Sequence, residues 1–154
     1  MKALVIFDTV SESKMTGKIA EIVTAALRES GVPVESFFVQ DAGKVRIEDF
    51  DCLVLGAPTM GWRPSQGMKE FLAGLEGKAF AGKMAATFDT QLESGFSGNA
   101  TKHMEKSLTA LGFRIVTPAL IAYVQNDKKL YKLKEGQAEK AKAWGQELAP
   151  KLSK

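Results

Sequence analysis

The chain is poor in the residues that mark several large protein classes. It has one cysteine, Cys52, and one histidine, His103, among 154 residues. A single cysteine excludes an internal disulfide and fits a reducing compartment. A lone histidine with no cysteine nearby excludes the usual zinc spacings. Cys52 falls inside an apolar run, where a thiol is buried and inert rather than nucleophilic. No apolar run approaches the length of a membrane span, and the N-terminus carries no signal-peptide pattern. The expectation is a cytoplasmic protein with no membrane partner. An excess of one charge is also missing, since 21 Lys and Arg against 18 Asp and Glu leave a net +3. Much of that comes from KLKEGQAEKAKAWGQELAPKLSK at the C-terminus, which mixes signs along a helical pattern. Such a run is a solvated face before it is a nucleic-acid surface, so no nucleic-acid partner is expected. Repeats, low-complexity tracts and linkers are absent.

What remains is an ordinary globular composition, 45% apolar and 25% charged. The length suits a single domain, 1–154, with a real core. The chain is organised around its first stretch, KALVIFDTVSESKMTGKIA. Ala3 to Phe7 is short, unbroken and apolar, as expected of a strand buried on both faces of a parallel sheet. Ile19, Ile22, Val23, Ala26 and Leu27 then recur at helical spacing. Between them lies a turn with four hydroxyls, Thr9, Ser11, Ser13 and Thr16. A strand that feeds a turn opening a helix gathers free N–H groups and a positive dipole end, which suits a phosphate. Helix capping by Ser13 or Thr16 explains the same hydroxyls without a ligand.

The pattern repeats along the chain. Val32–Val39 reads as a second strand, and DAGKVRIEDF as a loop with a helical turn or short helix. Cys52–Leu55 is a third strand, ending at Gly56-Ala57-Pro58-Thr59, with a helix over about 65–75. Lys83–Phe88 is a fourth, stopped by Asp89-Thr90, and a polar segment to Gly98 precedes a helix over 99–111. Phe113–Val124 supplies the last strand, with a kink at Pro118, and the final helix runs from near Glu135 to Leu152. Regular alternation of strand and helix predicts a three-layer α/β fold on a parallel sheet with right-handed crossovers. In such sheets ligands bind outside the carboxyl ends of the strands. The loops leaving those ends, Asp8–Thr16, Ala57–Pro64 and Asp89–Gly98, are rich in Ser, Thr and Gly, whereas the opposite connections are tight and plain.

Taken together these three loops resemble the flavodoxin family, along essentially the whole chain. The family holds FMN phosphate in a turn of pattern S/T-x-S/T-G-x-T after the first strand. Ser11, Ser13 and Thr16 match its hydroxyls, while Lys14 stands at the glycine and Met15 where asparagine is frequent. A side chain at the glycine position narrows the backbone approach to phosphate, yet a lysine there is also a point charge for it. Gly56-Ala57-Pro58-Thr59-Met60-Gly61-Trp62-Arg63-Pro64 resembles the first loop flanking the isoalloxazine ring. The resemblance gives Met60 or Trp62 one ring face and makes Gly61 the peptide able to flip. The run Asp89-Thr90-Gln91 through Gly95-Phe96-Ser97-Gly98 resembles the second flanking loop of the flavodoxin modules in flavodiiron proteins. There Phe96 stacks on the other face and the backbone of 90–92 meets the pyrimidine edge. The structural alternatives are Trp62 as a core cover and Phe96 as a loop anchor.

The resemblance implies a short-chain flavodoxin-like fold, a five-stranded parallel sheet of order 2-1-3-4-5 with helices on both faces. It also implies an FMN-binding electron carrier served by a redox protein donor and acceptor, as a monomer or weak homodimer. Typical flavodoxins are strongly acidic, whereas this chain has a pI near 8.9. Arg63, beside the expected ring, is then expected to raise the second-electron potential, and the partner to differ from the usual one. Two alternatives stay open: an NAD(P)H-dependent flavin or quinone reductase, and a flavodoxin-shaped binding module that has lost FMN. A phosphoryl-accepting receiver domain is set aside, because Gly56-Ala57-Pro58 stands where its strand-end aspartate would be.

Overall fold

A computed structural model of the chain describes residues 1–9, 14–60, 63–92, 99–127 and 130–152. Five parallel strands form its centre: β1 (Ala3–Phe7), β2 (Val34–Phe38), β3 (Cys52–Met60), β5 (Met84–Leu92) and β7 (Leu120–Asp127). Short β4 (Arg63–Pro64) folds back antiparallel on β3, short β6 (Arg114–Ile115) pairs with β5, and β8 (Leu130–Leu133) closes the edge antiparallel to β7. The order β2-β1-β3-β5-β7 is the expected 2-1-3-4-5, with β8 added outside it.

Alternation along the strands splits the core in two. Ala3, Val5, Val54 and Phe88 face α1 (Met15–Glu29) and α4 (Gln137–Leu152). Leu4, Ile6, Leu53 and Leu55 face α2 (Gln66–Ala73), α3 (Ala100–Ala110) and two 3-10 turns at Val39–Lys44 and Ile47–Asp49. The first face is locked tightly. Phe88 meets Trp144 edge-on at 6.2 Å, and the Trp144 indole donates to Pro118 O at 2.8 Å. The tip of the Phe88 ring also covers Gly56, where a Cβ would stand 2.0 Å from Cζ. Gly145 lets α4 approach α1, since a Cβ there would lie 2.7 Å from that of Ala26. Among the described residues no helix is long and apolar enough to cross a membrane.

The expected elements form, with three differences. Strands β3 and β5 run on through Met60 and Leu92, so Pro58–Met60 and Asp89–Leu92 are strand, not loop. Their polar side chains do not end the strands because cross-element hydrogen bonds satisfy them. The expected single strand over 113–124 is two pieces, β6 and β7, separated at Val116–Ala119 around Pro118, which has no N–H for a ladder. The β7–β8 hairpin was not expected at all.

Candidate functional site

The chain reverses direction across the sheet between β2-β1 and β3, and a cleft of about 220 Å³ opens at the carboxyl ends of the central strands. A larger hollow of about 670 Å³ lies on the flank, between the 3-10 turns and α2. It is lined by mixed charges such as Lys44, Arg46, Glu48 and Glu70 and has none of the strand-end hydroxyls. The smaller cleft is therefore the candidate site.

Its first wall is the start of α1. Lys14 precedes the helix in the left-handed region, φ 52° and ψ 43°, so the position that resembles a family glycine has the backbone glycine favours. The first helical hydrogen bond runs from Lys18 N–H to Lys14 O at 3.1 Å. Ahead of it, the N–H groups of Met15, Thr16 and Gly17 have no helical acceptor among the described residues. Lys14 supplies no side-chain cap and the first turn holds no acid. Among the described residues this end is electropositive and suits an anion. Thr16 is buried, its Oγ1 sharing a hydrogen bond of 2.7 Å with Thr90 Oγ1, which ties α1 to β5.

The second wall comes from β3. Pro58, Thr59 and Met60 line the cleft, and Met60 is half exposed at its mouth beside the exposed Arg63 of β4. Thr59 Oγ1 donates to Asp89 Oδ2 at 2.6 Å and accepts from Ala100 N–H at 2.9 Å. It thereby caps α3 from another element, a task that the N-cap residue Asn99 does not perform.

The third wall is β5. Thr90, Gln91 and Leu92 line the cleft. Asp89 is 0% exposed and lies behind this wall, and its Oδ2 also accepts from Gln91 Nε2 at 2.7 Å. The same amide donates to Asn99 Oδ1 at 2.8 Å. Burial pushes the Asp89 carboxyl up to about 6, against the opposing pull of Thr59, Gln91, the Ala122 backbone and Lys140. Asp89 Oδ1 is buried and has no hydrogen-bond partner.

A second carboxylate serves the neighbouring corner. Asp8, just past β1, takes Ser65 Oγ at 2.5 Å and Thr9 N–H at 2.9 Å. It sits so close to the start of α2 that a Cβ at Gly67 would be 2.6 Å from Oδ2. The two acids thus fasten the strand ends to the helices beyond them.

The structure brings together Met15, Thr16, Pro58, Thr59, Met60, Thr90 and Gln91, with Lys14 adjoining and Asp89 behind. Ser11, Ser13, Gly61, Trp62, Gly95, Phe96 and Gly98 lie outside the described residues. Thr9 and Leu92, from the expected first and third loops, also line the cleft, and sequence reasoning missed Val124 and Tyr131 beside them. Tyr131 arrives on the hairpin strand β8, and the alternation of LYKL was its one available signal.

The donors present suit a flavin mononucleotide: a helix start with no side-chain cap from Lys14 for a phosphate, beside a mostly apolar slot edged by hydroxyls and one amide. No sequence profile of a known protein family matches the chain. It is 30% identical over 157 aligned residues to the type A flavoprotein FprA of Rhodobacter capsulatus, an alignment that covers 99% of this chain and 34% of that protein. The chain thus spans about a third of the curated relatives it matches. Among solved structures it superposes on oxidised flavodoxin 1 of Bacillus cereus with a TM-score of 0.80 at 22% identity, covering 97% and 98% of the two chains. Rubredoxin:oxygen oxidoreductase of Desulfovibrio gigas matches with a TM-score of 0.73 at 23% identity, over 99% of this chain and 36% of that one. With the strand order, the cleft at the reversal point and these likenesses in agreement, the chain has a flavodoxin-like fold.

Proposed function

We propose that the cleft holds FMN and that the chain carries electrons between redox proteins. The observation that carries this reading is the start of α1, with no side-chain cap from Lys14 and no acid in its first turn, beside the apolar cleft. The N–H groups of Met15, Thr16 and Gly17 take the phosphate, with the helix dipole behind them. Lys14 adds a positive charge at the same end, and Ser11 and Ser13 join them as the resemblance expects. Pro58, Met60, Val124 and Tyr131 exclude water from the slot, while Thr59, Thr90 and Gln91 present its polar edge. By the resemblance, Gly61, Trp62, Gly95, Phe96 and Gly98 belong to the two flanking loops. Bound FMN supplies the redox chemistry, and the protein tunes its potential and access.

Asp8 and Asp89, the described carboxylates at these strand ends, are buried and engaged in fastening helices. That favours a carrier over a reductase that turns over its own substrate. Half-exposed Met60 and Leu92 beside Arg63 form the surface on which a redox partner docks. Titration of the purified chain with FMN, followed by flavin fluorescence, tests the reading. Quenching at stoichiometric flavin supports it, and unquenched emission rejects it in favour of a binding module without flavin. Steady-state NADPH oxidation by the loaded chain would instead establish a reductase.

A further inference from the structure

We propose that Asp89 takes up a proton from solvent when negative charge enters the neighbouring cleft, so that electron transfer at this site is coupled to protonation of the protein. The proposal rests on the FMN reading above and goes beyond it by naming the group that takes the proton.

The geometry is that of a carboxylate only half satisfied. Asp89 is fully enclosed, and both donors to its Oδ2, Thr59 and Gln91, are themselves walls of the cleft. Oδ1 is buried without a partner. An ionised carboxylate accepts several hydrogen bonds, so an empty oxygen in a dry site favours the neutral acid. The groups around it come from every adjoining element. They are Thr59 of β3, Gln91 of its own strand, the Ala122 backbone of β7 and Lys140 of α4. Asn99 and Ala100 at the start of α3 engage Gln91 and Thr59 in turn. Lys140 is the charge among them, and it lowers the carboxyl's affinity for a proton. Burial outweighs it and already holds the group at about 6. Further negative charge in the cleft moves it upward again, into the neutral range. The balance is simple: an external one-electron donor supplies the electron, water supplies the proton, and one O–H bond forms on Asp89.

The test uses the FMN-loaded chain reduced stepwise with dithionite across a range of pH. The second-electron midpoint is expected to fall as pH rises above about 6. Asp89→Asn should abolish that fall and stay at the level the wild type reaches in acid. The reduced-minus-oxidised infrared spectrum of the wild type should gain the C=O stretch of a protonated carboxylic acid, and that of D89N should not. An equal fall in D89N, or no such band in the wild type, overturns the proposal. If D89N does not fold, Thr59→Val, which removes a donor to Oδ2, should move the window to higher pH, and an unmoved window counts against Asp89. Unquenched FMN fluorescence overturns the flavin reading and this one together, whereas bound flavin with a pH-flat second step overturns the proton link alone.

Discussion

Lys14 places two physical effects in opposition at one residue, and Lys14→Gly separates them. The residue sits at φ 52°, where an L side chain crowds its own carbonyl. A left-handed non-glycine residue costs about 1–2 kcal/mol. Glycine removes that strain but enlarges the unfolded ensemble, which returns about 0.4–1 kcal/mol. The net is a gain of about 0.5–1 kcal/mol, or roughly 1–4 °C in Tm for a domain of this size. The side chain is exposed, so no packing is lost with it. Its charge is lost, and a surface cation near a phosphate contributes about 0.3–1 kcal/mol. Affinity for FMN should therefore drop about two- to fivefold, while affinity for riboflavin, which lacks the phosphate, should not change. Thermal unfolding of the apoprotein reads the first effect, and paired fluorescence titrations with the two flavins read the second. A lower Tm in K14G would refute the strain argument. Equal losses for FMN and riboflavin would refute a phosphate role for the charge.

Three further outcomes follow from the same geometry. Thr59→Val removes the cap on Ala100 N–H and a donor to a buried carboxylate, and should cost about 2–3 kcal/mol in urea unfolding of the apoprotein. Thr59→Ser should recover most of that loss, and a silent T59V would contradict the assigned network. The Asp89 carboxyl is raised from 3.8 to about 6, so the folded chain binds a proton that the unfolded chain releases between these values. Apoprotein stability should fall as pH rises through that window, by up to about 3 kcal/mol from this group, and Asp89→Asn should remove the fall; denaturant midpoints at several pH values measure both. Arg63→Glu reverses an exposed charge beside Met60 and should lower the second-electron potential by on the order of tens of millivolts; an unchanged redox titration would dismiss Arg63 as a tuning residue.

The layered fold was legible because β1, β3 and β5 are buried on both faces, and a strand with no solvent face writes itself as an unbroken apolar run. The limits of those strands were not legible. Thr59, Asp89, Thr90 and Gln91 look like loop residues, and what makes them strand is a set of partners remote in sequence. Thr16 and Thr90, for example, are 74 residues apart. The hairpin strand Leu130–Leu133 escaped for a different reason. It is a short edge strand with an exposed face, whose pairing with β7 is decided by the neighbour and not by its own pattern. Tyr131 escaped with it. The helix start at Met15 was readable, yet the burial of Thr16 against Thr90 was not, since a threonine is equally at home facing a ligand or a second hydroxyl.

The most direct test of the account is a fluorescence titration of the purified chain with FMN, with the absorption spectrum taken at saturation. Quenching to a stoichiometric end point, with flavin bands shifted from those of free FMN, is the expected result. Emission that rises linearly with added flavin, as if no protein were present, would contradict it.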